Sequence, residues 1–239
     1  MLTDIVAATP VGSIDDAVRV MNAIDARLPD GDGLKWFNRL YLRVTEHVRL
    51  AIGGAQAFAA PEFMAELDIV FANLYFAAIA DAERGPESVP SAWRPLFDCR
   101  HRPGIARLQY ALAGMNAHIN RDLPSGIVRV FENVGGNPIT SDAQRRDFDS
   151  INDLLERVEA QVKDEFSRGL IHVVDTAAGQ LDDVVAMWKV RVARAAAWTN
   201  AEVLWTLRAS ARLQGSFFQS LDRFTGLASR GLLLPTGNP

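Results

Sequence analysis

His118 and Asp122 stand four residues apart in the stretch "ALAGMNAHINRDLP", Ala111 to Pro124, and Asn116 and Asn120 repeat that spacing. Four residues is just over one helical turn, so each pair shares a flank of a helix. A carboxylate beside an imidazole orients the ring and raises its basicity, which suits a general base or acid. Asp68, in "FMAELDIVFANLYF", falls at the edge of another helix's apolar stripe. If it faces Asp122, one of the pair would hold a raised pKa and act as an acid, with Asp68 as the second acid or base. His118, Asp122 and Asp68 are the candidate catalytic residues. Asn116, Asn120, Asn73, Tyr75 and Trp93 are the candidate substrate-binding residues. Asn116 would hold a substrate oxygen, and Trp93 lies on a loop that could close over a pocket.

These groups support cofactor-independent acid/base work on a largely apolar small molecule such as a polyketide. Cyclisation (spiroacetal closure, for example), dehydration or isomerisation needs little more. A metal-dependent hydrolase using His118 and Asp122 is one alternative, because His-x-x-x-Asp on a helix can ligate zinc or iron. The remaining histidines, His47, His101 and His172, sit in ordinary contexts, whereas a catalytic zinc usually takes three protein ligands. A non-catalytic binding or assembly module is the other alternative, with Trp188, Trp198 and Trp205 as interface or core residues. The plainest reading of the polar cluster itself is a hydrogen-bond network that fixes helix register.

On a helical wheel, Ile105, Leu108, Leu112, Met115, Ile119 and Leu123 centre one face, and Asn116 falls inside that apolar arc. His118 and Asp122 share one flank, while Arg121 points roughly opposite the centre. An unpaired polar group there costs roughly 1–3 kcal/mol, so partners are expected nearby. Gly114 gives up roughly 1 kcal/mol of helix propensity, so a backbone or a ligand should approach it closely.

The elements that must position these residues read as helices. Ser13 caps "IDDAVRVMNAIDARL", a second helix runs from about Leu34 to Ala51, and Pro61 opens a third. An irregular segment with four prolines lies between Gly85 and Pro103, long enough to suggest a functional loop. The fourth helix begins near Gly104, and Pro124 should kink or end it. A further amphipathic helix follows Ser141, a long one spans about Gln180 to Leu213, and a short one covers Phe217 to Phe224. No useful period-two pattern appears. The expectation is an all-α, single-domain bundle of about seven helices over residues 1–239, with 1–12 and 231–239 as loose tails.

Composition bounds the partners. The net charge of -4 and pI near 5.6 argue against nucleic acid. Cys99 is the only cysteine, which excludes an internal disulfide and a thiolate-rich metal site. No signal peptide is evident, and nothing approaches the roughly 20 continuous apolar residues of a membrane span. The expected setting is cytoplasmic, with a small-molecule substrate, no nucleic acid, no membrane and no cofactor or metal. A homodimer stays open.

The blocks "GLKWFNRLYLRVTEHV", "FMAELDIVFANLYFAA", "AWRPLF" and "LQYALAGMNAHINRDLP" resemble an actinobacterial domain-of-unknown-function family with a "GMNAHIN-x-DLP" signature. The likeness covers roughly residues 15 to 165 and more loosely the rest. It implies a helical fold and points to Asn116, His118, Asn120 and Asp122 as signature residues, without naming a chemistry.

Overall fold

The computed structural model describes residues 2–54, 58–157, 160 and 189–235, and among them every regular element is helical. α1 (Thr3–Val6) leads to α2 (Ile14–Arg27), whose first turn is closed by the Ser13 hydroxyl accepting from the Asp16 N–H at 3.1 Å. Asp32 caps α3 (Gly33–Gly53) by accepting from the Leu34 N–H. α4 (Pro61–Arg84) has proline in its first turn, where no N–H is needed, and stops at Gly85, φ 141°. Its preceding residues donate the Ala59 and Ala60 N–H groups to the buried Asp147 carboxylate.

The proline-rich segment is more ordered than its composition suggests. It holds a 3₁₀ turn (Pro86–Ser88) and α5 (Arg94–Cys99). α6 (Arg107–Ala117) is the central helix: every residue from Leu108 to Ala117 is buried. It packs between α3 and the last helix of the chain, Ala211–Leu232. A π-helical turn, His118–Asp122, then carries the chain into α7 (Leu123–Val134). There the Leu123 N–H reaches back to the His118 carbonyl. Pro124 offers no N–H to continue the α-helical ladder, which explains a wider turn just ahead of it.

α8 (Asp142–Ser150) is followed by helical residues 152–157, then α9 (Val190–Leu207) and α10 (Ala211–Leu232). The long helix expected over Gln180–Leu213 is corrected here. It ends at Leu207, and Ser210 caps a new helix by accepting from the Leu213 N–H. The short final helix expected at Phe217–Phe224 is therefore a 22-residue one. Residues 180–188, including Trp188, lie outside the described residues.

One hydrophobic cluster runs from Leu2 to Leu233. The ends are thus not loose where they are described. Leu2, Val6 and Val11 are buried, and Asn73 clamps Val11 by accepting its N–H and donating to its carbonyl. At the other end, Gln109 donates to the carbonyls of Leu232 and Leu234. α4 has the length and composition of a membrane span, which the sequence reading missed, but 56% of its apolar window is buried inside the fold. That burial suits a core helix. Trp198 and Trp205 also lie in the core, Trp198 fully buried beside Phe63, Phe131 and Phe148.

Candidate functional site

Five helical faces converge on one cavity of about 50 Å³. α3 supplies Tyr41, Val44 and Val48, and α4 supplies Met64, Leu67, Asp68 and Phe71. Both sets follow helical spacing, so each is the inward stripe of its helix. Met115 from the central helix, His118 and Ile119 from the π turn and Leu123 from the continuing α7 line it next. Ile151 and Leu155, with Val190 and Arg194 from α9, complete the wall.

His118 is 1% exposed and its surroundings fix its proton. Nδ1 lies 3.0 Å from Asp122 Oδ2, and that carboxylate also accepts from Trp93 Nε1 at 2.9 Å and from Arg121 Nη1 at 2.5 Å. Burial alone would raise the Asp122 pKa. The His118 hydrogen bond and the Arg121 charge outweigh it and hold the carboxyl below its ordinary range. An ionised Asp122 requires the proton on Nδ1, which leaves Nε2 as a bare lone pair. Burial pulls the His118 pKa down, against the raising effect of Asp122, so the imidazole is neutral.

Three buried polar atoms on this wall have no hydrogen-bond partner among the described residues: His118 Nε2, Asp68 Oδ2 and the Tyr41 hydroxyl. Asp68 is raised to about 7 by burial, so near neutrality much of it is a carboxylic acid. Tyr41 is pushed well above its ordinary value by burial first, then by the Asp68 charge. Thr45, one turn along α3, sits beside the Tyr41 hydroxyl and lowers its pKa slightly, though the pair falls short of full hydrogen-bond geometry.

The structure brings His118 and Asp68 onto one cavity and puts Asp122 directly behind His118. It does not bring the other expected residues there. Asn116 turns toward α10, donating to the Thr225 carbonyl and the Ser229 hydroxyl, and its oxygen accepts from Asn120. Asn73 is spent on Val11. Tyr75 donates to Asn38 Oδ1 at 3.2 Å. Trp93 is fully buried and braces Asp122 from within, so it is a core residue and not a cover over a pocket. Its loop is tied to α10 by Asp222, which accepts from the Ser91 and Ala92 N–H groups and pairs with Arg121. The close approach expected at Gly114 comes from a side chain. A Cβ there would stand 2.3 Å from Phe37 Cγ.

Tyr41 and Arg194 were not singled out from the sequence as site residues. Arg194 shares a stripe with Val190, Ala197, Trp198 and Ala201, and a lone arginine on an apolar stripe is a usable signal. Among the described residues no group of three or more His, Cys, Asp or Glu is arranged to hold a metal. Asp122 directs its oxygens to three N–H donors, one of them His118 Nδ1. His47 bonds the Arg43 carbonyl, His101 is exposed near Asp32, and His172 lies outside the described residues.

A family model described as a family of unknown function, DUF5995, matches residues 14–235. The chain belongs to that family. No curated protein and no solved structure matches it. The match to DUF5995 spans every element that lines the cavity.

Proposed function

We propose that the cavity is the active site of a cofactor-independent acid/base enzyme, an isomerase or dehydratase acting on a small, largely apolar carbonyl compound. The observation that carries this reading is the set of three unpartnered polar atoms on one apolar wall. A buried donor or acceptor without a partner costs roughly 1–3 kcal/mol, and a substrate oxygen and an acidic C–H would supply the missing partners.

In this reading His118 Nε2 takes a proton from the carbon next to the carbonyl, while Asp122 holds Nδ1–H and stabilises the imidazolium that forms. The C–H electron pair becomes the new C=C bond, and the carbonyl π pair moves to oxygen. Tyr41 and protonated Asp68 donate hydrogen bonds to that oxygen. Return of the proton to a different carbon completes an isomerisation. Loss of a β-hydroxyl as water, protonated by Asp68, completes a dehydration. A positioned base contributes about 10²–10⁴-fold and an oxyanion donor about 10²–10³-fold. A cavity of about 50 Å³ holds roughly four waters at 10–15 Å³ each. This favours a substrate of a few heavy atoms over a polyketide.

The test is solvent exchange. Native protein in D₂O is incubated with a panel of small ketones, enones and oxo acids, and loss of the α-proton signal is followed by NMR. Exchange with at least one panel member, reduced about a hundredfold or more in folded His118→Asn, is expected. Absence of exchange across the panel, or exchange that survives His118→Asn, would refute the reading.

A further inference from the structure

We infer that the ligand of this cavity is a short-chain carboxylic acid bound as its carboxylate by Arg194; the inference rests on the cavity being the functional site. Arg194 is 5% exposed and lines the cavity. Its Nε donates to Asn152 Oδ1 and its Nη2 to the Phe148 carbonyl, both at 2.7 Å, and the guanidinium lies 3.8 Å over the Phe148 ring. All these partners are neutral. Nη1 has no hydrogen bond among the described residues.

A buried cation normally has an anion beside it, because desolvation is costly unless a charge compensates. Among the described residues, the carboxylate that acts on Arg194 through space is Asp149, and Asp149 is already held by Arg145 at 2.8 Å. Asp68 lines the same wall but is raised to about 7 by burial, so near neutrality it supplies at most a partial negative charge. The site thus offers one positive charge and a guanidinium nitrogen, Nη1, with its N–H groups free, and no matching anion among the described residues.

Those terms describe a monoanion better than a phosphate. Among the described residues only one cationic side chain lines the cavity, and two of its three nitrogens are committed. A second negative charge would meet Asp68 without further compensation. The remaining wall is aliphatic and aromatic, which fits a short hydrocarbon chain between the carboxylate and the His118 end. The cavity volume keeps that chain to a few carbon atoms.

Butanoate and its neutral isostere butanamide test this directly by titration into native protein at pH 7. Affinity is read by calorimetry and location by the His118 Hε1 resonance. Butanoate should bind at least tenfold more tightly than butanamide, with Hε1 shifting in step with occupancy. Folded Arg194→Gln should abolish that preference; should the variant not fold, the native pair of ligands still decides. Equal affinities, or an Hε1 signal that neither compound moves, overturn the inference. Binding is measured without turnover, so the two readings fail separately. Equal affinities leave the acid/base proposal standing, whereas tight butanoate binding without exchange on any carbonyl compound removes catalysis and keeps the carboxylate site.

Discussion

Phe71 lies face to face with the His118 imidazole, ring centroids 3.5 Å apart and planes 5° from parallel. Tyr41 meets the same imidazole edge-on at 4.5 Å. Both rings belong to the inward stripes of their helices, so the packing that builds the core also keeps water off His118. That exclusion is the largest cause of its lowered pKa.

Phe71→Ala should therefore raise the His118 pKa toward its ordinary value, because water regains the ring face while Asp122 still favours the charged form. Phe71 is half-buried, so the stability cost should fall below the roughly 3–5 kcal/mol of a fully buried Phe→Ala change. An NMR titration of the Hε1 resonance checks it. A pKa that stays put would mean that burial by Phe71 is not what lowers it.

Asp122→Asn should cost about 3 kcal/mol or more, since it takes the charge from a buried carboxylate that Arg121, Trp93 and His118 all address. The change should also switch the His118 tautomer, because an amide N–H can donate to Nδ1 and move the ring proton to Nε2. Imidazole ¹⁵N shifts report this in the folded fraction. Retention of the Nδ1–H form would show that Asp122 does not set the tautomer.

Gly114→Ala should destabilise in spite of alanine's better helix propensity, worth about 1 kcal/mol. Its Cβ would enter the Phe37 ring, and Phe37 is fully buried among Tyr41, Tyr75, Trp93 and His118. A net loss of roughly 1–3 kcal/mol is expected in chemical denaturation. Unchanged or higher stability would mean that the ring yields freely.

The local signals in this chain were legible before the structure. Ser13 and Pro61 mark helix starts because caps act over one turn, and the His118–Asp122 pair follows from its spacing. Gly114 announced a close approach, but a wheel gives a direction and not what stands there. Trp93 reaches Asp122 across 29 residues and Asn116 reaches Thr225 across 109, so neither partner could be read from periodicity. The break at Arg208–Ser210 was missed because it contains neither glycine nor proline, and apolar residues continue on both sides of it.

Asp68 should make stability and activity fall over neighbouring pH ranges. Its folded pKa of about 7 lies above an unfolded value of about 4, so the native state holds the proton more tightly. Between pH 4 and 7 the native state keeps a proton that the unfolded chain has lost, and stability falls as pH rises through that window. Three pKa units correspond to at most about 4 kcal/mol. Asp68→Asn mimics the neutral acid, so its difference from native protein should be small at pH 4 and stabilising at pH 8. Parallel stability curves for the two proteins would place the Asp68 pKa near its unfolded value. The catalytic reading adds a second arm. Solvent exchange in native protein should decline above about pH 7 as Asp68 loses its proton, and in the variant that decline should vanish. His118, Tyr41 and Arg194 line the same cavity, but none of them has a pKa shift that would produce a fall near 7. A decline that persists in Asp68→Asn would assign the acid to another group.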